Sequence, residues 1–335
     1  MASLTKLLSS SSTTGKLRPI DVRRDLNKVA DLMEHCFADT LDPDGQRYLQ
    51  QMRYAANNPG YIRWAALMAE GGTMPISGYV WEEAGQLVGN LTLIPYYSLG
   101  HRYFLVANVA VHPDFRRKGI ASSLTLKAIE HARQRGAQAV WLHVRDENEG
   151  AIRLYRSLGF IERARRTTWV WDEISVSDPV APGVIARAQA IPGVSVLKRR
   201  ASEWRTQRAW LEKNYPVGLS WHLSLKLNLL RPDLWGFLNR FLNDIQVRQW
   251  SAWRKNQLLA VLAWQSMPAY ADSLWLATKP EHEESVVEPL LLYARAQLPS
   301  HRALSLDYPA GRANPEIQAA GFHQHQTLIW MSLEL

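Results

Sequence analysis

Residues 104–111, Phe-Leu-Val-Ala-Asn-Val-Ala-Val, are apolar on both faces apart from Asn108. A run of this kind fits a central strand covered on both sides. It ends at His112-Pro113-Asp114 and passes through Arg116-Arg117-Lys118-Gly119-Ile120-Ala121 into a helix striped by Ile120, Leu124, Ala128 and Ala132. Arg133, Arg135 and Gly136 close that helix. Backbone N–H groups at a helix start, with the positive end of the dipole behind them, cradle phosphate oxygens. Gly119 and Ala121 leave room for close approach, Ile120 and Ser122 supply further N–H groups, and Arg116, Arg117 and Lys118 add positive charge. As a bare string the turn also fits a solvated basic surface. Its place between strand and helix favours the anion site.

The flanking sequence reads as an α/β chain with a mixed sheet. A short strand is expected over 17–23, then a helix carrying Val29, Leu32, Met33, Cys36 and Phe37 on one face. Strands over 76–81 and 86–94 flank the turn-like Glu82-Glu83-Ala84-Gly85. After the basic turn and its helix come a strand over 139–144, a short helix over 148–158 and a strand over 166–171. The order is β-α-β-β-β-α-β-α-β.

Bulk properties narrow the class. The single cysteine, Cys36, excludes an intrachain disulfide and fits a reducing compartment. No stretch approaches the roughly 20 apolar residues of a membrane span, so no membrane partner is expected and the cytoplasm is the expected address. The net charge of +8 is spread over both halves. A nucleic-acid footprint would be a denser stripe, so nucleic acid is not an expected partner. No Cys/His cluster has metal-ligand spacing, and neither a P-loop nor a Gly-x-Ser-x-Gly string occurs. The Ser/Thr-rich residues 1–16 are expected to form a disordered tail.

A second string lies downstream: Asn148-x-x-Ala151-x-x-x-Tyr155-x-x-x-Gly159-Phe160. With Val109-Ala110-Val111-His112-Pro113-Asp114-Phe115 and the basic turn, it makes residues 17–176 resemble the GCN5-related N-acetyltransferase (GNAT) superfamily. The family pattern Gln/Arg-x-x-Gly-x-Gly/Ala is met by Arg116, Gly119 and Ala121. The resemblance implies that the turn holds the pyrophosphate of acetyl-CoA, a cosubstrate used without a metal. It implies that backbone groups of Val109 and Val111 bond to the pantetheine arm between two splayed strands, with the Val109 N–H polarising the thioester carbonyl. It further implies that Asn148 touches the arm and that Tyr155 protonates the leaving thiolate, by direct attack in a ternary complex. Tyr155 also fits a buried packing role. The general base stays open among Glu82, Glu83, His112, His143 and a water chain. Leu105 stands near where some members carry a carboxylate.

The second half resembles a degenerate copy, joined by a Pro/Gly-rich linker over 177–193 and covering 194–335. Lys279-Pro280-Glu281 answers His112-Pro113-Asp114, and Gly321-Phe322 answers Gly159-Phe160. Glu283 and Glu284 then stand in place of Arg116 and Arg117, and Ile317 in place of Tyr155. Two tandem GNAT-like domains follow, each a mixed sheet flanked by helices, with one acetyl-CoA held by the first. The tryptophans from Trp204 to Trp275 are expected in the core, with an aromatic acceptor pocket as the sharper alternative. Tandem copies with one degenerate half also occur in mycothiol synthases. A small-molecule amine is the favoured acceptor, ahead of a peptide N-terminus or lysine. A non-catalytic acyl-CoA sensor is the competing function.

Overall fold

Asp21 ends the first strand and starts the first helix: its side chain accepts the Arg23 N–H at 3.0 Å. The strand expected over 17–23 therefore stops early, as β1 (Lys16–Pro19), and α1 spans Val22–Phe37. The computed structural model of the chain describes residues 15–58, 60, 77–98, 100–172, 193–216, 223, 225–298 and 302–335. The tail expected over 1–16 lies outside these residues except for its last two. The linker expected over 177–193 lies outside them except for Gly193.

The chain forms two compact units, one of Met1–Arg163 with Ile329–Leu335 and one of Ala164–Leu328. In the first unit α2 (Pro43–Asn57) follows α1. The strands are β2 (Ser77–Glu83), β3 (Gln86–Ser98), β4 (His101–Val111) and β5 (Ala139–Arg145). β1 to β4 pair antiparallel in sequence order, and β5 joins β4 in parallel. Alternation along the strands feeds two cores. Val80, Leu87 and Ala110 pack under α1 and α2, with Leu26, Val29, Met33 and Leu49. Tyr79, Trp81, Val88 and Leu91 pack under α3 (Ile120–Gln134) and α4 (Glu149–Ser157), with Leu124, Ala128 and Ile152.

β6 (Ile161–Trp171) begins five residues before the expected strand. The second unit repeats the order. β7 (Ser195–Lys198), α5 (Trp204–Asn214), α6 (Leu227–Leu230) and α7 (Leu234–Leu242) lead into β8 (Val247–Arg254), β9 (Gln257–Gln265) and β10 (Ala271–Thr278). α8 (Glu283–Gln297), β11 (Ala303–Pro309), α9 (Asn314–Ala319) and β12 (His323–Glu334) complete it. β10 and β11 are parallel, and β6 pairs antiparallel with β11. Trp250, Trp264 and Trp275 are buried in this unit's cores, while Trp235 is exposed. Both halves thus have the mixed sheet flanked by helices that the sequence implies.

One buried charge ties α1 to the sheet. Asp25 is wholly buried and accepts from Arg18 at 2.6 and 3.0 Å and from the Asp21 N–H at 2.8 Å. Burial alone pushes its carboxyl up, but Arg18 and the Asp21 N–H outweigh that and hold it below the usual range. The folded state then binds this proton more weakly than the unfolded chain. The pair's contribution is complete above about pH 4 and is lost as pH falls through the depressed value. Asp25→Asn is expected to cost about 3 kcal/mol at neutral pH. Urea melts at several pH values should show the deficit shrinking in acid.

Candidate functional site

The site is built on an interruption of the sheet. β3 and β4 pair Thr92 with Ala107 and then Asn90 with Ala110, so Asn108 and Val109 together stand opposite Leu91. This is a β-bulge, and it bends the strand that carries it. Asn108 takes φ 53°, a left-handed conformation that asparagine tolerates better than most residues. Its carbonyl accepts from Asn90 Nδ2 at 3.0 Å, and its own amide reaches Tyr48 Oη at 3.4 Å. Burial pushes the Tyr48 phenol up to about 12.

Just before the bulge β4 leaves its parallel neighbour. The two strands pair from Tyr103–Ala139 to Val106–Leu142 and no further, although β4 runs on to Val111 and β5 to Arg145. Beyond these residues the two strands no longer pair, which leaves a gap in the ladder between them. His112 N–H donates to Val88 O at 2.9 Å, so the antiparallel alternation aims the Val111 peptide groups away from β3. The Val111 carbonyl accepts from Arg116 Nε at 3.1 Å and from Cys36 Sγ at 3.4 Å, which leaves its N–H as the group able to serve a ligand. Val109 and Val111 are half-buried against the α3-side core.

At the mouth of the gap stands the basic turn. Gly119 takes φ 79° as the N-cap of α3 and Arg117 takes φ 62°. No side chain caps the helix, and no acceptor among the described residues meets the N–H groups of residues 119–122. Four successive donors are therefore unpaired at the positive end of a helix. Arg116, Arg117 and Lys118 are exposed, with Lys118 Nζ 4.6 Å from the Phe115 ring centre. Ile120 contributes backbone only, because its side chain is buried in the core. Ala121 and Ser122 are half-buried on the first turn, and the Ala121 carbonyl accepts from Thr125 Oγ1 at 2.7 Å. Gly89, opposite Val111, sets the height of this helix: a Cβ there would lie 2.8 Å from Ile120 Cγ2.

Asn148 caps α4, accepting the Ala151 N–H at 3.0 Å. Tyr155 lies on the buried face of that helix, edge-on to Phe160 at 5.9 Å between ring centres. Burial pushes its phenol up to about 12, and no hydrogen bond to its hydroxyl occurs among the described residues. The candidate bases are scattered. Glu82 is held by Arg18 at 2.9 Å and Arg24 at 2.7 Å, and Glu83 ends β2. His112 stacks on His35 at 5.1 Å, and His143 lies 4.1 Å from the Trp330 ring centre. Sequence reasoning passed over Asn90, Tyr48 and the bulge. Their one signal was a lone asparagine in an apolar strand.

The second unit has a matching break in its parallel pair. β10 and β11 also pair over four residues, from Ala271–Ala303 to Leu274–Leu306. Here β9 and β10 stay in regular register, with no bulge. Tyr215 fills the opening: its hydroxyl donates to Asp307 O at 3.0 Å and accepts from the Leu276 N–H at 3.4 Å. Asn214 Nδ2 donates to Leu276 O at 3.2 Å. In place of the basic turn, Glu283 opens α8 directly, accepting from Tyr308 Oη at 2.6 Å and pairing with Arg312.

Among the described residues, no group of three His, Cys, Asp or Glu could hold a metal, and no helix is long and apolar enough to cross a membrane. Comparison with known proteins matches residues 29–160 to the acetyltransferase (GNAT) family. The chain is 42% identical over 62 residues to the [ribosomal protein bS18]-alanine N-acetyltransferase of Escherichia coli, covering 18% of this chain and 42% of that protein. It is 48% identical over 52 residues to a mycothiol acetyltransferase of Thermobifida fusca, covering 16% of each. The chain thus spans less than half the length of either relative. Among solved structures, a tandem GNAT protein from the clavulanic acid biosynthesis pathway aligns over 96% of this chain and 98% of its own, with 16% identity and a TM-score of 0.50. That likeness is one of fold. Residues 29–160, in the first of the chain's two compact units, thus match the acetyltransferase (GNAT) family.

Proposed function

We propose that the N-terminal unit transfers the acetyl group of acetyl-CoA to a primary amine, with one acetyl-CoA per chain. The observation that carries this reading is the row of four unpaired N–H donors over 119–122, which follows the strand end where β4 and β5 no longer pair. The donors and the three cations bind the pyrophosphate. The Val111 N–H holds the pantetheine arm, and the Val109 N–H at the bulge polarises the thioester carbonyl. Asn148, its Oδ1 engaged as a cap, offers its amide N–H groups to the arm.

The neutral amine nitrogen attacks the thioester carbon, the C–S bond breaks, and Tyr155 gives its proton to the departing sulfur, while the proton shed by the new amide nitrogen passes through water and restores the phenol. A phenol at about 12 stays protonated throughout the neutral range, so the donor is always charged with its proton. The same burial that raises the phenol also raises the sulfur's proton affinity, which keeps the transfer feasible. The polar set of Tyr48, Asn90, Thr92 and Asn108 beside the bulge supplies groups that can orient an amine.

A small-molecule amine is the favoured acceptor, ahead of a peptide amine. The relatives include one enzyme named for each kind. The single thiol fits reaction in the cytoplasm. A second reading, a non-catalytic acyl-CoA sensor, is favoured by the scatter of the candidate bases.

Thiol release from acetyl-CoA over a panel of amines separates the two. Tyr155→Phe should lower kcat by about 10²–10⁴-fold while leaving acetyl-CoA affinity unchanged. Binding of acetyl-CoA with no turnover of any amine would favour the sensor. Wild-type kcat in Tyr155→Phe would remove the acid role.

A further inference from the structure

The strangest surface of the chain is α7. Its sequence is Leu-Trp-Gly-Phe-Leu-Asn-Arg-Phe-Leu, and only Gly236 is buried. Asp233 caps it, accepting the Gly236 N–H at 3.0 Å. Gly236 sits against the preceding chain so closely that a Cβ would lie 2.3 Å from Arg231 O. One turn on, Arg240 Nη1 donates to Leu229 O at 2.7 Å and to Arg231 O at 3.0 Å. Residues 236 and 240 therefore anchor one side of the helix.

The other side is apolar and bare. Leu234 is 79% exposed, Trp235 66%, Phe237 60%, Leu238 40%, Phe241 73% and Leu242 71%. At 100° per residue all six fall within an arc of about 160°, opposite Gly236 and Arg240. Phe237 and Phe241 are already stacked, 6.4 Å apart between centres and 14° from parallel. Nine residues with this much exposed apolar surface call for a partner.

Charge and area choose which one. The two cations on and beside the helix are both engaged: Arg231 pairs with Asp233, and Arg240 is turned inward onto carbonyls. A lipid surface would be met better by free cations around the arc. At roughly 150 Å² of bared surface per side chain, the arc offers on the order of 800 Å², one partner's share of a standard stable interface. An apolar arc with aromatic anchors and little charge is what homodimer interfaces present, and a two-fold axis requires only that it match itself. We propose that α7 packs against α7 of a second copy of this chain, making the protein a symmetric dimer through its C-terminal unit.

Sedimentation equilibrium on the full chain tests this. The wild type is expected to be dimeric at micromolar concentration, with a Tm that rises with protein concentration. Phe237→Glu combined with Phe241→Glu is expected to raise the dimer dissociation constant at least about 100-fold, with the far-UV spectrum kept because both rings are exposed. Should that variant misfold, the concentration dependence of the wild-type Tm decides alone. A monomeric wild type with a concentration-independent Tm would overturn the proposal, as would a double variant that stays dimeric. Monomeric wild type that co-sediments with phosphatidylcholine–phosphatidylserine vesicles would overturn it in favour of a membrane surface.

Discussion

A chain ending at Leu328 is expected to lose the N-terminal unit, although that unit's basic turn lies some two hundred residues upstream. Ile329–Leu335 belongs to the first unit. Ile329 and Met331 are fully buried in the core that also holds Leu91, Val106 and Leu124. Trp330 lies against His143, Ser332 accepts from Arg163 Nε at 2.7 Å, and the Leu335 N–H donates to Gln138 O at 3.0 Å. Removing Ile329 and Met331 alone costs roughly 2–5 kcal/mol each, comparable to the whole stability of a domain. The truncated chain should lose one thermal transition and all protection by acetyl-CoA. Met331→Asp, which buries an unpaired carboxylate in the same core, should do nearly as much. Wild-type acetyl-CoA affinity in the truncated chain would contradict this assignment.

Gly119→Glu is expected to abolish acetyl-CoA binding while leaving the fold intact. Two effects act together. At φ 79° a side chain costs about 1–2 kcal/mol, and the position is exposed, so the fold can bear it. The carboxylate would then sit among the N–H donors of residues 119–122 and repel the pyrophosphate. Loss of even two or three charge-assisted hydrogen bonds, at about 1.5–3 kcal/mol each, lowers affinity by more than 100-fold. Gly119→Ala separates the effects, since it keeps the strain and omits the charge. It should bind measurably more weakly than wild type and far better than Gly119→Glu.

The stretch from 104 to 134 was legible because its signals are local: an apolar run, a proline stop, a glycine and an amphipathic stripe. The helix α2 was missed. Its buried positions, Leu49, Met52 and Ala55, are too few to announce a periodicity, yet Asp42-Pro43 is a cap followed by proline at the first turn. The bulge at Asn108 and the plug at Tyr215 were not legible, because each is defined by a partner strand's register rather than by its own neighbours. Nor does any periodicity say that 329–335 completes the first unit, since that pairing is purely long-range. Glu283 stands where the first half has its basic turn, but its charge is paired with Arg312. The structure adds that Tyr215 also occupies the gap itself.

One of the two similar halves is expected to hold acetyl-CoA, at the turn over 116–121. Calorimetric titration of the wild type with acetyl-CoA tests it most directly. The predicted result is one equivalent bound per chain, with no binding heat in Gly119→Glu. Two equivalents per chain, or one equivalent that survives Gly119→Glu unchanged, would contradict it.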